Sequence, residues 1–298
     1  MEHAVHVNWM VRLNFVIVSV KSGAYAPLSE NSILVEISGQ ILRCKCCGAS
    51  SNYIGSVDFN KSCADRLGTR IFPKSDILVP YWKCADCGFI FTNHADQWTD
   101  QDFQRLIYND DYAKADPPIP GRQNVPLRET PSYQKGKLIA SLFQGSQNDI
   151  RILDYGAGGN PGPTGLALID EGFNVRSYEP HRAKGADADQ IPEGRYNLII
   201  AVEVFEHCHR LRDLAEFMDN HLCQDGLIWI QTLLHPHPAP ADILNSWYIS
   251  PRNGHVSIFT FWALTILFSS VRLNIVQTIN GIFGFRNLPQ FRNKIFFS

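Results

Sequence analysis

Arg151-Ile152-Leu153-Asp154-Tyr155-Gly156-Ala157-Gly158-Gly159-Asn160 reads as a short buried strand that ends on an acid and breaks into a glycine turn. A helix is predicted from about Pro163. Glycine has no Cβ, so its backbone takes positive φ and comes close to a ligand. A strand, a Gly-rich turn and a helix N-terminus together make a nucleotide-type pocket at the carboxyl end of a parallel strand.

The pattern around that turn alternates from Ser132 onward. Tyr133 to Phe143 is predicted helical, with Leu138, Ile139 and Leu142 on one face. Strand 150–155, helix 163–171 and strand 173–179 come next, then strand 196–202, helix 209–222 and strand 226–232. A long loop over 233–255 leads to helix 259–270 and strand 271–278, and Ile282 to Phe285 forms a last strand. Such alternation implies an α/β fold, a mostly parallel sheet with helices on both faces.

Upstream the texture differs. Six of the eight cysteines fall between Cys44 and Cys87. Cys44-Lys45-Cys46-Cys47-Gly48 and Cys84-Ala85-Asp86-Cys87-Gly88 are two C-x-x-C pairs, each followed by glycine. Two-residue spacing lets both sulfurs of a pair reach one ion, and the glycine permits the tight turn. Val79 to Trp82 and Phe89 to Thr92 read as the arms of a hairpin around the second pair. This is the zinc-ribbon pattern, with Cys44, Cys47, Cys84 and Cys87 as ligands of a structural Zn²⁺. Cys46 is an alternative to Cys44, and Cys63 is a spare. Cys208 and Cys223 read as buried thiols.

The chain thus divides into an N-terminal extension (1–40), a zinc-ribbon module (41–92), a connector (93–131), an α/β domain (132–285) and a tail (286–298). The connector is polar and Pro-rich. Asp116 to Gly121 cannot continue a helix. It reads as a linker or as a flap over the site, with Tyr108 to Tyr112 supplying contacts. Close cysteine pairs in a long chain indicate a reducing, cytoplasmic setting. No apolar run reaches about 18 residues, so no membrane span is expected. The net charge of −2 argues against broad nucleic-acid binding, which needs a basic face. From His237 on, Asp242 stands against Arg252, Arg272, Arg286, Arg292 and Lys294, a run that reads as a solvated rim.

The turn itself excludes the nicotinamide fingerprint. Counting G-x-G-x-x-G from Gly156 puts the third glycine on Pro161. An acid ahead of the glycines would also repel a pyrophosphate. It suits a ligand with an ammonium and a sulfonium, such as S-adenosylmethionine.

Over about residues 132–285 the chain resembles the class I S-adenosylmethionine-dependent methyltransferases, whose domain is Rossmann-like. Leu153 to Gly158 is similar to their first motif, and Glu203-Val204-Phe205-Glu206-His207 to the E-V-x-E-H that ends their fourth strand. The resemblance implies Asp154, Tyr155, Gly156, Ala157, Gly158 and Asn160 around the methionine part of the cofactor. It implies Glu179, with Pro180 after it, on the ribose hydroxyls, and Asp187 or Asp189 on the adenine amino group. It implies Glu203, Val204 and Glu206 on the cofactor side of the fourth strand. Asn160 stands where the family has a third glycine. Only 16 residues separate Glu179 from Tyr196, so the usual helix and third strand are trimmed there.

A zinc ribbon ahead of this domain resembles nucleotide-sugar and polysaccharide-pathway methyltransferases. That implies a small-molecule acceptor, a sugar or nucleotide-sugar methylated at carbon or oxygen. RNA or protein methylation is the alternative, as is a methyltransferase fold that only binds a partner. Methyl transfer needs the acceptor's proton removed when it carries one. His207, at the end of a parallel strand, ranks first for that task, then His255 with Tyr248 as its partner. His235 and His237 form a possible metal pair without an evident third ligand.

Overall fold

The computed structural model describes residues 41–117, 125–181 and 192–287. The extension at 1–40, residues 118–124 of the connector, Asp187 and Asp189, and most of the tail lie outside the described residues. Strand β5, Arg151–Tyr155, lies inside the larger sheet, and its Ile152 and Leu153 are fully buried. The sheet order is β10-β11-β8-β7-β5-β6. Here β6 is Asn174–Tyr178, β7 is Tyr196–Val202 and β8 is Leu222–Gln231. β10 is Asn274–Thr278 and β11 is Gly281–Phe285. β6, β5, β7 and β8 run parallel; β11 pairs antiparallel with β8, and β10 pairs antiparallel with β11.

The chain leaves β5 for β6 on one side and returns to β7 on the other. The direction of winding therefore reverses between β5 and β7, and open α/β sheets bind ligands outside the strand ends at such a point. Between Glu179 and Tyr196 the described residues hold no strand.

Three expectations change in detail. Helix α3, Pro131–Leu142, buries Tyr133, Gly136, Ile139, Ala140 and Leu142, while Leu138 is 42% exposed. Its face is set by Gly136: a Cβ there would lie 2.5 Å from the Thr164 carbonyl oxygen of helix α4, Pro163–Asp170. β8 starts at Leu222, directly from the last residue of helix α5, Leu211–His221, instead of at 226. Cys208 and Cys223 are half-buried, not enclosed. Between the helices and sheet lies one core that includes Ile139, Phe143, Ile152, Leu198, Trp229 and Phe283.

A second, antiparallel sheet has the order β1-β2-β3-β4-β9. β1 is Leu42–Arg43, β2 Ser50–Asp58, β3 Leu78–Cys84 and β4 Ile90–Phe91. β3 and β4 pair as the predicted hairpin. β9, Ser257–Ile258, comes from far along the chain, with Phe91 opposite Ser257. Two residues are too few to show a period, so the sequence reads this point only as the end of a loop. The pairing makes the cysteine segment and the region after β8 parts of one unit, Gln40–Ser298. Among the described residues no helix is long and apolar enough to cross a membrane.

Candidate functional site

The glycine turn bends away from β5 toward helix α4. Gly156 and Gly158 have φ of +70° and +64°, where a side chain is strained. A Cβ on Gly156 would sit 2.5 Å from Val204 Cγ2. The Gly158 N–H donates to Glu179 Oε2 at 3.0 Å, so the acid ending β6 is drawn across the turn. Gly162 caps α4, and a Cβ there would lie 1.9 Å from the Ala157 carbonyl oxygen. The motif's missing glycine at Asn160 is thus supplied two positions later, because that is where the helix start meets the turn.

Asp154 takes another place than the one expected. It is 3% exposed and lies beneath the turn, where the Gly165 N–H bonds it. Burial raises its carboxyl to about 7, and the Gly165 bond pulls the other way. The acid therefore braces the first turn of α4 and does not face the cavity.

A cavity of about 970 Å³ opens at these strand ends. Of the residues expected on the cofactor, Tyr155, Gly156, Gly158, Glu179, Pro180, Glu203 and Val204 line it. Asp154, Ala157, Asn160 and Glu206 are not among its lining residues. Tyr178 and Phe217 complete an aromatic wall with Tyr155, at ring separations of 5.5 and 5.1 Å from it. The sequence signal for Phe217 is only its place on helix α5.

His207, His255 and Tyr248 also line the cavity and lie together. The two imidazoles meet edge to face at 4.8 Å, and Tyr248 lies 4.5 Å from His255. His255 Nδ1 pairs with the Tyr248 carbonyl oxygen at 2.8 Å. Tyr248 Oη donates to Glu206 Oε1 at 2.6 Å, and Thr232 Oγ1 donates to Glu206 Oε2 at 3.0 Å. Burial lowers His207 to about 4 and puts His255 well below its ordinary range, so both are neutral near pH 7. Desolvation on the side turned inward, and then the Glu206 carboxyl, push the half-exposed Glu203 up to about 8. Glu203 also holds a left-handed φ of +52°, a strained backbone of the kind that collects at functional sites.

The connector covers this site. Helix α1, Asp100–Leu106, is fixed by a capping box between Thr99 and Asp102, and the short helix α2, Tyr112–Ala115, follows it. Its Phe103 is fully buried and stacks on His181 at 4.8 Å and His209 at 5.3 Å. Asp100, Tyr108, Tyr112 and Asp116 line the cavity. Cys63 and Arg66, from the long insert between the cysteine pairs, line it as well. Burial lifts the Cys63 thiol to about 12, which keeps it protonated. Arg66 lies 4.7 Å over the Trp247 ring.

Arg252 corrects the reading of a solvated basic rim. It is 4% exposed and donates to the Ile107 carbonyl (3.0 Å) and Asn109 Oδ1 (2.8 Å). Asn253 Oδ1 accepts from the Cys63 N–H at 2.8 Å, and Asn253 Nδ2 donates to the Ala115 carbonyl at 3.2 Å. These two side chains tie the connector and the cysteine segment to the loop carrying His255. Arg286 is also occupied, in a 2.5 Å ion pair with Asp219.

Cys44, Cys47, Cys84 and Cys87 converge, all four sulfurs within 4.8 Å of one another. Cys44 and Cys87 sulfurs are 3.6 Å apart, and those of Cys47 and Cys84 are 3.4 Å apart. A tetrahedral zinc with bonds of about 2.3 Å needs sulfur edges of about 3.8 Å, so the set fits that ion closely. Backbone N–H groups of Cys46 and Cys87 point at the Cys44 and Cys84 sulfurs. Gly48 and Gly88 take the positive φ expected of the knuckles. Cys46 is buried and lies outside the set. His235 bonds the Pro236 carbonyl through Nδ1 and His237 packs on Gly88; among the described residues neither belongs to a group of three converging metal-ligand side chains.

A family model described as a methyltransferase domain matches residues 127–278, just over half of the chain. Among solved structures the chain is similar to DesVI of Streptomyces venezuelae, at 12% identity over 54% of this chain and 94% of that one, with a TM-score of 0.38. It is similar to human N-acetylserotonin methyltransferase in complex with S-adenosylmethionine, at 14% identity over 52% and 56%, TM-score 0.35. CalO1, a methyltransferase in calicheamicin biosynthesis, is matched at 14% identity over 51% and 54%, TM-score 0.35. The chain spans little more than half the length of several of these structures. No curated protein matches it.

Proposed function

The chain belongs to the methyltransferase-domain family, and on that premise we propose that it transfers a methyl group from S-adenosylmethionine to a small-molecule acceptor, a sugar or nucleotide-sugar. The observation that carries this reading is one shared cavity. Gly156, Gly158 and Glu179 line it together with His207, His255 and Tyr248.

The cofactor's ribose hydroxyls fit Glu179, whose carboxylate accepts from two adjacent donors. Its adenine fits beside Pro180, against the faces of Tyr178 and Phe217. The backbone turn at Gly156 to Gly158 leaves room for the methionine part. Asp154 supports that turn from below. Bound there, S-adenosylmethionine supplies an electrophilic methyl on sulfur. The chain's own residues hold the acceptor in line with that methyl and take charge of its proton. We assign that work to His207, His255 and Tyr248.

The acceptor end favours a polyhydroxylated ligand. Trp247 and Tyr112 offer flat apolar faces, and Asp116 and Arg66 offer planar polar edges beside them. Sugars present the same mixture of apolar face and hydroxyl rim. We assign the four cysteines to one structural zinc that forms a zinc-ribbon module. Four thiolates leave no open position for substrate. Free thiols in such number suit a reducing cytoplasm.

A screen of nucleotide-sugars and free sugars with methyl-labelled cofactor tests the reading. Label should pass to a sugar and not to RNA or protein. Transfer to RNA or protein alone would overturn the acceptor assignment.

A further inference from the structure

Glu206 is fully buried, yet no lysine or arginine pairs with it among the described ion pairs. Its oxygens accept from the Tyr248 and Thr232 hydroxyls, and its carboxyl also bonds the Glu203 carboxyl and its own backbone N–H. A buried carboxylate without a cation is costly, and proteins resolve this by pairing it or placing it on a metal. Two imidazoles stand beside it. One ligand atom each from Glu206, His207 and His255 lie within 4.8 Å of one another.

The imidazoles are set up to donate lone pairs. His255 Nδ1 faces the Tyr248 carbonyl oxygen at 2.8 Å. A carbonyl only accepts, so the proton stays on Nδ1 and the lone pair on Nε2. That carbonyl–imidazole arrangement is the usual way a ligating histidine is oriented. His207 Nδ1 is buried without a hydrogen-bond partner. Both rings line the cavity, so a shared ion would be open to a ligand from that side.

We propose that Glu206, His207 and His255 form a second metal site, which takes a first-row divalent cation such as Mn²⁺, Fe²⁺, Co²⁺ or Zn²⁺. Two nitrogens and one carboxylate oxygen suit these ions better than Mg²⁺ or Ca²⁺, which prefer oxygen alone. Three protein ligands leave positions for an acceptor oxygen. The site is distinct from the four cysteines, whose soft sulfurs select zinc and reject Mn²⁺.

The inference rests on the methyltransferase reading and gives its histidines a specific task. A cation-bound acceptor hydroxyl loses its proton more readily. The proton leaves to Glu203 at the cavity wall or to water. The oxygen lone pair then forms the new O–C bond as the S–C bond breaks. That bonding pair goes to sulfur, and the sulfonium becomes a neutral thioether.

The test is Mn²⁺ titration of the full chain, followed by the electron paramagnetic resonance of free Mn²⁺. Calorimetry with S-adenosylmethionine is run on the same samples. One Mn²⁺ site per chain is expected, weakened at least tenfold in Glu206→Gln and in His255→Gln, with cofactor binding retained in both. Circular dichroism checks that each variant is folded, and His207→Gln replaces any variant that is not. Zinc analysis gives a second readout: two equivalents in the parent chain and one in the variants. Cofactor binding without an Mn²⁺ or second zinc site would overturn the metal site and leave the enzyme reading standing. Metal binding that survives these substitutions would also overturn it. Loss of cofactor binding in the parent chain would instead strike the reading beneath it.

Discussion

Tyr248 Oη donates a 2.6 Å hydrogen bond to Glu206 Oε1, joining positions 42 residues apart. The same oxygen accepts from the Leu233 N–H at 3.1 Å. One phenol therefore satisfies a buried carboxylate and a backbone donor at once, and its neighbour His255 is held by its carbonyl. Tyr248→Phe keeps the ring and removes both bonds. It should cost about 1–3 kcal/mol, as for a buried polar group left unpaired. Urea denaturation measures this, and methyl transfer should fall in parallel. Unchanged stability would show that water replaces the phenol.

Gly162 is the glycine on which the turn closes. In Gly162→Ala the new Cβ would meet the Ala157 carbonyl oxygen at 1.9 Å, and backbone on both sides must shift. The variant should lose cofactor affinity and thermal stability together. Asn160→Gly should be tolerated, since Asn160 is exposed at the outer side of the turn. A cofactor titration of both proteins separates them. Equal affinities would place the closure elsewhere.

Asp154 carries a pH signature. Burial raises its folded pKa to about 7, above the unfolded value near 3.8. The native state thus holds the proton more tightly than the unfolded state. Its stabilising contribution is complete below the unfolded value and is lost as pH rises through about 7. Asp154→Asn, which cannot ionise, should gain on the parent as pH rises from 3.8 to about 7. Urea melts at the two ends check the sign. A difference that does not change with pH would mean the carboxyl is ionised throughout.

The four cysteines act at a distance from the cavity. Thr260 Oγ1 donates to the Cys87 carbonyl at 2.7 Å, and β4 pairs with β9 just after His255. Tyr81 Oη, on β3, donates to the His255 carbonyl at 2.8 Å. Removing zinc with a chelator should lower the melting temperature by several degrees, because Cys63, Arg66 and His255 lose their common support. Thermal melts with and without chelator measure this. A melting temperature unaffected by zinc removal would contradict the ligand set.

The sequence disclosed the fold through features that recur locally. The strand ending on Asp154, the two knuckle glycines and the spacing of Glu179 from the turn each have a period or fixed offset. What stayed hidden depends on contacts far apart in the chain. Nothing local shows that Ser257 and Ile258 complete the cysteine sheet. Arg252 looked like a rim charge, although its partners, Ile107 and Asn109, lie more than a hundred residues away. Acids at strand ends often touch the cofactor, but Asp154 and Glu206 are buried and neither lines the cavity. Gly162 escaped because the cap of a helix, not the motif's spacing, sets where the close approach falls.

The central claim is that the turn at Gly156 to Gly158, with Glu179, holds S-adenosylmethionine. Isothermal titration of the full chain with that cofactor tests it most directly. One saturable site per chain with micromolar affinity is expected, weakened roughly tenfold or more by Glu179→Ala through the loss of charged hydrogen bonds. No binding up to millimolar cofactor, or full affinity in Glu179→Ala, would contradict it.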